Sequence, residues 1–125
     1  MLSIQDLIQK AYQPEERTIK VRIERMGGEI ELRVPTSNEI KELREKHKED
    51  YYSVFEELIY NNCINPKLND NYLLEKFSCK DTPYRVVTTI FGNGTVDNLV
   101  NLLLDEVSKP FKIEKVKERI ENVKN

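Results

Sequence analysis

Two runs of alternating apolar and polar residues lie at positions 18–34, in the sequence TIKVRIERMGGEIELRV. Every second residue of each run is Ile, Val or Leu, and this period of two is that of a β-strand with one buried face. Gly27 and Gly28 separate the runs, and a glycine pair in this position is typical of a hairpin turn. Pro35, which lacks a backbone N–H, follows the second run. The segment therefore predicts a β-hairpin that ends at Val34.

The sequence is compatible with two registers of this hairpin. A turn centred on the glycine pair sets like charges against each other: Arg22 opposite Arg33 and Glu24 opposite Glu31. A shift by two residues instead joins the apolar residues: Ile19 with Val34, Val21 with Leu32 and Ile23 with Ile30. Such a shift keeps the same residues on the buried face, so the apolar pattern does not distinguish the two registers.

Helical patterns precede and follow the hairpin. Before it, apolar residues recur at helical spacing, at Ile4, Leu7, Ile8 and Ala11, with Ser3 as the predicted N-cap and Pro14 past the end. After it, Thr36 and Glu39 fit a capping box. Further helices are predicted over residues 37–49, around 54–59 with an end near Pro66, over 70–77, over 83–91 after a cap at Thr82, and from a cap at Thr95 to a point before Pro110.

The predicted fold class is therefore mainly α: a helical domain with an N-terminal β-hairpin, which is α+β by strict count. A chain of 125 residues fits one domain, and we assign residues 1–110 to it, with the hairpin at about 18–34 and the helices after 36. An isolated hairpin is marginally stable in water. It must dock on the helices or pair with another chain, and its open edges permit strand addition.

The remaining residues, 111–125, are predicted to form a charged amphipathic helix. Lysine and glutamate side chains interleave there at helical spacing, which favours a solvated face with local ion pairs over a nucleic-acid site. The apolar stripe either packs on the domain or docks on a partner. The candidate partner-binding residues of this stripe are Phe111, Ile113, Val116, Ile120 and Val123.

The composition excludes several classes of function. The 20 Lys and Arg nearly balance the 22 Asp and Glu, which argues against nonspecific binding of nucleic acid. No apolar run approaches the roughly 20 residues of a membrane span. The first residues do not have the pattern of a signal peptide, so a cytoplasmic location is expected. Cys63 and Cys79 do not have zinc-site spacing and are expected to be reduced thiols.

No residue pattern in the sequence indicates a catalytic or ligand-binding site. His47, the single histidine, lies among charged residues and is expected to be solvated. The Gly92–Thr95 segment precedes a helix but lacks the lysine of a P-loop, so it is interpreted as a link between two helices. Asp70, Glu75 and Asp81 lack the spacing of a calcium loop and suit capping roles. We therefore expect no enzyme activity, no cofactor and no metal site.

The order of these features resembles that of a known family. An Asp6-Leu7-Ile8 helix precedes the hairpin, and Pro35-Thr36 with Glu39 opens the next helix. Residues 57–70 (ELIYNNCINPKLND), residues 83–91 (PYRVVTTIF), the Gly92-Asn93-Gly94 turn and a leucine-rich helix follow. Over roughly residues 4–108 the chain resembles the tail assembly chaperones of tailed bacteriophages and prophages, particularly the XkdN-like group.

This resemblance implies a protein-binding function in virion assembly. Such chaperones bind the tape-measure protein in the bacterial host cytoplasm and keep it soluble and extended while the tail tube polymerises. They are absent from the mature particle, and many also occur as a frameshifted longer form. A homo-oligomer is compatible with this role, whereas a membrane or nucleic-acid partner is not expected. The alternatives are a small DNA-binding regulator and a structural tail component of a prophage or phage-like element.

Overall fold

The computed structural model describes residues 1–117. Its elements in chain order are α1 (Ile4–Gln9), β1 (Thr18–Ile23), β2 (Gly28–Arg33), α2 (Ser37–Lys46), α3 (Tyr51–Asn62), β3 (Cys63–Asn65), α4 (Asn71–Lys76), α5 (Val86–Phe91) and α6 (Asn93–Ser108). Single turns of 3-10 helix occur at Glu24–Met26, Pro83–Arg85 and Lys109–Phe111. These elements confirm the predicted fold class, mainly α with an N-terminal hairpin.

The hairpin adopts a register that differs from both predicted registers, which are therefore wrong. The paired residues are Thr18 and Arg33, Ile19 and Leu32, Lys20 and Glu31, Val21 and Ile30, Arg22 and Glu29, and Ile23 and Gly28. The loop starts before the glycine pair, because Glu24–Met26 form a 3-10 turn and Gly27 has a left-handed backbone with φ of 68°. Two of the pairs unite opposite charges, which favours this register over one with like charges opposite each other.

A third strand, which the sequence analysis missed, completes the sheet. β3 follows α3 directly and pairs antiparallel with β2, with Cys63 opposite Leu32 and Asn65 opposite Glu31. The predicted helix end near Pro66 is therefore too late, because the backbone turns to an extended conformation at Cys63. The strand order β1-β2-β3 places β2 in the middle and leaves β1 at an edge of the sheet.

The hairpin docks on the helices through both side chains and hydrogen bonds. Its apolar face joins α3, α5 and α6 in the main core, whose fully buried members include Leu32, Ile59, Val86, Val87, Val96 and Leu103. At the hairpin tip, Arg25 donates to the carbonyl oxygens of Ile90 and Phe91, at 3.3 and 3.1 Å. A smaller cluster joins α2 to α3 through Ile40, Leu43, Val54 and Leu58.

Several predicted helix ends are confirmed, and others are wrong. The capping boxes of Ser3 with Asp6 and of Thr36 with Glu39 are both present, and Asp70 caps α4. Thr95 is not a cap, because α6 begins at Asn93 directly after Gly92, whose φ is 83°. The predicted helix over 111–125 is also wrong where it can be compared: residues 112–117 are neither helix nor strand, and residues 118–125 lie outside the described part.

Two adjacent leucines of α6 provide a test of this packing. Leu103 is fully buried, whereas Leu102 is 43% exposed. We expect Leu103→Ala to lower the free energy of unfolding by about 2–5 kcal/mol, because it leaves a cavity in the main core. Leu102→Ala is the matched control and should lower it by less than about 1 kcal/mol. Urea denaturation followed by circular dichroism measures both values, and equal losses would contradict the packing described.

Candidate protein-binding surface

The sequence-predicted partner-binding residues that the structure describes are all exposed. Phe111 lies in the 3-10 turn after α6, while Ile113 is 96% exposed and Val116 is 82% exposed. Ile120 and Val123 lie outside the described residues. The side chains of Ile113 and Val116 therefore do not pack on the domain, and the helix predicted to present them is absent at 112–117.

A second exposed apolar segment lies on α1. This helix has the predicted capping box and the predicted spacing of apolar residues, yet none of its residues is buried. Ile4, Leu7 and Ile8 are each more than half exposed. An amphipathic helix normally buries its apolar stripe against other elements. In α1 this stripe is free, which is a property of surfaces that bind other proteins.

The two exposed segments meet at one edge of the domain. The rings of Tyr12, which follows α1, and Phe111, which follows α6, lie with their centroids 5.0 Å apart. Beside them is an open groove of about 450 Å³. Its other lining residues come from 13–17, from 34–38 between the end of β2 and the first residues of α2, and from Val107 and Pro110. We call α1, Tyr12, this groove and residues 111–117 the terminal apolar surface.

Hydrogen bonds and an ion pair fix the base of this surface. Arg17 donates to the backbone carbonyl of Glu106, which joins the segment before β1 to the end of α6. The Lys109 ammonium lies 2.7 Å from a Glu106 carboxylate oxygen, and hydrogen bonding to that carboxylate raises the pKa of Lys109. The contact of Arg17 with Glu106 therefore holds the segment before β1 against the end of α6, beside the groove.

A polar cluster lies elsewhere, between α2 and α3. The side chain of His47, expected to be solvated, is instead largely buried, with 11% of it exposed. Its Nε2 lies 2.6 Å from Oε1 of Glu57, and Lys46 donates to Oε2 of the same carboxylate at 2.9 Å. The Tyr84 ring packs edge-on against His47. Glu57 lies on α3, and both of its partners lie at the end of α2, so the cluster joins these two helices.

The Glu57 carboxylate gives this cluster a defined pH dependence. Burial alone would raise its pKa, but the hydrogen bonds from Lys46 and His47 outweigh burial, so its pKa lies below the ordinary 4.5. A lowered folded-state pKa stabilises the fold above the unfolded-state pKa, and this stabilisation is lost as the pH falls through the folded-state value.

We therefore expect Glu57→Gln to reduce stability at neutral pH by about 1–3 kcal/mol, because hydrogen bonds to a charged group are replaced. The difference between wild type and variant should narrow as the pH falls below 4.5. Glu49→Gln is the matched control, since Glu49 is exposed and forms no ion pair among residues 1–117. A difference between wild type and Glu57→Gln that does not change with pH would contradict this assignment.

The His, Cys, Asp and Glu side chains of the described residues form no candidate metal centre. No group of three or more His, Cys, Asp or Glu side chains within 1–117 is placed to hold a metal ion. Cys63 and Cys79 are buried free thiols, and burial raises the pKa of Cys63 to about 11, which makes it a poor nucleophile. Buried Glu56 and exposed Asp50 both pair with Arg85 at 3.3 Å. That the chain is not an enzyme stays a prediction.

Comparison with other proteins adds no relative. No protein-family model, curated protein or solved structure matches the chain with significance. Within residues 1–117, no helix is both long enough and apolar enough to cross a membrane.

α1 and Tyr12 were not predicted from the sequence to be parts of the candidate surface. The helical spacing of Ile4, Leu7 and Ile8 predicts a helix but does not say what covers its apolar face. Pro14, Glu15 and Glu16, which separate this short helix from β1, indicate only that the helix ends before the sheet begins.

Proposed function

We propose that this chain is a phage tail assembly chaperone. It binds the tape-measure protein and keeps it soluble and extended in the host cytoplasm during polymerisation of the tail tube. The protein leaves before the particle is complete. The order of sequence features that resembles the XkdN-like group supports this proposal, and so does the terminal apolar surface.

The observation that carries the proposal is the exposure of apolar side chains on both segments of the terminal apolar surface. Ile8 is 66% exposed on one segment and Ile113 is 96% exposed on the other. A chaperone must cover apolar surface of its client without a deep, rigid pocket. Two short segments that extend from one groove can each make weak contacts, and linked weak contacts raise the overall affinity without a single tight site.

The distribution of charge disfavours the DNA-binding alternative. A recognition helix needs exposed basic or amide side chains that reach the bases. α5 and α6 contain no Lys or Arg, and α6 carries Asp97, Asp105 and Glu106. Arg85, just before α5, is paired with Asp50 and Glu56. α6 would therefore repel a phosphate backbone, and α5 has no cation that would attract one.

Co-expression with the tape-measure protein encoded in the source genome tests the proposal. We expect the client to be insoluble when expressed alone and soluble in a complex with the chain. A soluble, folded chain that does not bring the client into solution would contradict the proposal. Finding the chain in purified tails would favour the structural component, and salt-dependent DNA binding would favour the regulator.

Substitutions of Ile113 and Val116 test whether these residues contact the client. We expect Ile113→Ser with Val116→Ser to reduce the amount of soluble complex by about tenfold, because apolar contacts with the client are lost. The melting temperature should change little, since both side chains are exposed in the free protein. Tyr72→Ser is the matched control: Tyr72 is 76% exposed on α4, away from the terminal apolar surface. An equal loss of complex with Tyr72→Ser would exclude a specific role for 113 and 116.

A further inference from the structure

The outer edge of β1 is a second candidate interface, of a different kind. Among residues 1–117, β1 has a strand partner on one side only. Arg17 directly precedes β1, and its carbonyl accepts a hydrogen bond of 2.8 Å from the N–H of Val34. This bond extends the pairing of β1 with β2 by one residue. Antiparallel pairing alternates inward and outward backbone groups. The N–H and C=O groups of Thr18, Lys20 and Arg22 therefore point away from β2, along the free edge.

The side chains along this edge define the chemistry of an incoming strand. Lys20 and Arg22 are exposed and lie on the solvent face of the sheet. On the paired side, the residues opposite them are Glu31 and Glu29 of β2. A strand on the free side would meet the same two cations. Acidic residues at alternate positions would complement them, and basic residues would not.

A cavity beside β1 offers space for the side chains on the other face of such a strand. It has a volume of about 320 Å³ and lies between residues 21–25 and α6, where Thr95, Asn98, Leu99 and Leu102 line it. Leu102 is 43% exposed, so an apolar surface of α6 is open next to the strand edge. In strand addition, backbone hydrogen bonds supply affinity, and pockets for alternate side chains supply specificity.

We propose that the free edge of β1 binds an extended segment of a partner protein in which acidic and apolar residues alternate. The segment pairs with the outward backbone groups of Thr18, Lys20 and Arg22. Its carboxylates face Lys20 and Arg22, and an apolar side chain enters the cavity beside α6. β2 has this pattern in the protein itself, as Glu29-Ile30-Glu31-Leu32. The inference does not depend on the proposed function.

A second copy of the chain is a poorer occupant. Antiparallel pairing of two β1 strands about Val21 keeps the apolar residues of both copies on one face, but it sets Lys20 of each copy opposite Arg22 of the other. Like charges directly opposite each other destabilise a strand pair. The edge thus discriminates against self-association and in favour of an acidic partner strand.

A labelled synthetic peptide with the β2 pattern, residues 27–34 with blocked ends, tests the proposal on the full chain. We expect the fluorescence anisotropy of the labelled peptide to increase when it binds. We also expect the amide hydrogens of Thr18, Lys20 and Arg22 to exchange more slowly with solvent. A peptide with Lys in place of both glutamates should bind at least about tenfold more weakly. Equal binding of the two peptides, or no binding of the β2 peptide, would overturn the proposal. Protection confined to the inward amides of Ile19 and Val21 would also overturn it, because it would indicate replacement of β2.

Two substitutions of Lys20 distinguish the contribution of its backbone N–H to binding from that of its side chain. Lys20→Pro removes an outward N–H that is not part of the β1–β2 ladder, and an edge strand tolerates proline in that position. We expect it to weaken peptide binding by about tenfold or more, whereas Lys20→Ala, which keeps the N–H, should weaken it by about threefold or less. Unchanged binding to Lys20→Pro would overturn the proposal. If that variant does not fold, the amide-exchange pattern of the unaltered protein decides.

Discussion

The burial of Leu32 is the constraint on which the rest of the structure depends. Leu32 lies in the middle strand of the sheet, opposite Ile19 on one side and Cys63 on the other, and it is completely buried. It shares the main core with Ile59 of α3 and Leu103 of α6, which are buried to the same degree. The β1–β2 hairpin alone would be marginally stable in water, so it depends on the third strand and on the helices that cover its apolar face. The helices therefore provide the sheet with its second layer, and the sheet closes the core of the helices.

The existence of most elements could be predicted from the sequence, because their signals are local. Alternating residues predicted the hairpin, and capping residues such as Thr36 and Asp70 predicted where helices begin. The register could not be predicted, because it depends on a 3-10 turn at Glu24–Met26 that has no proline or glycine to mark it. β3 could not be predicted either, since Cys63 follows Ile59 at helical spacing and no proline or glycine marks the end of α3.

The candidate surface was predictable only in part, because burial depends on what other elements offer. Ile113 and Val116 were singled out by spacing and are exposed, but the helix that should present them is absent at 112–117. Helical spacing in a short segment does not make a helix without packing to stabilise it. The reverse holds for α1, which is helical although its apolar face has no cover. A partner would supply to either segment the contacts that the domain does not.

The arginine contacts of the hairpin have a consequence for the order in which the chain folds. Arg25 binds carbonyl groups 65 and 66 residues further along the sequence, and Arg17 binds one 89 residues away. Contacts of such long range form late, because large loops must close before they are made. During synthesis, the hairpin precedes α5 and α6, which later cover its apolar face. The apolar face of the nascent hairpin thus stays uncovered until those helices emerge, and apolar surface exposed in this way makes incomplete chains prone to aggregation.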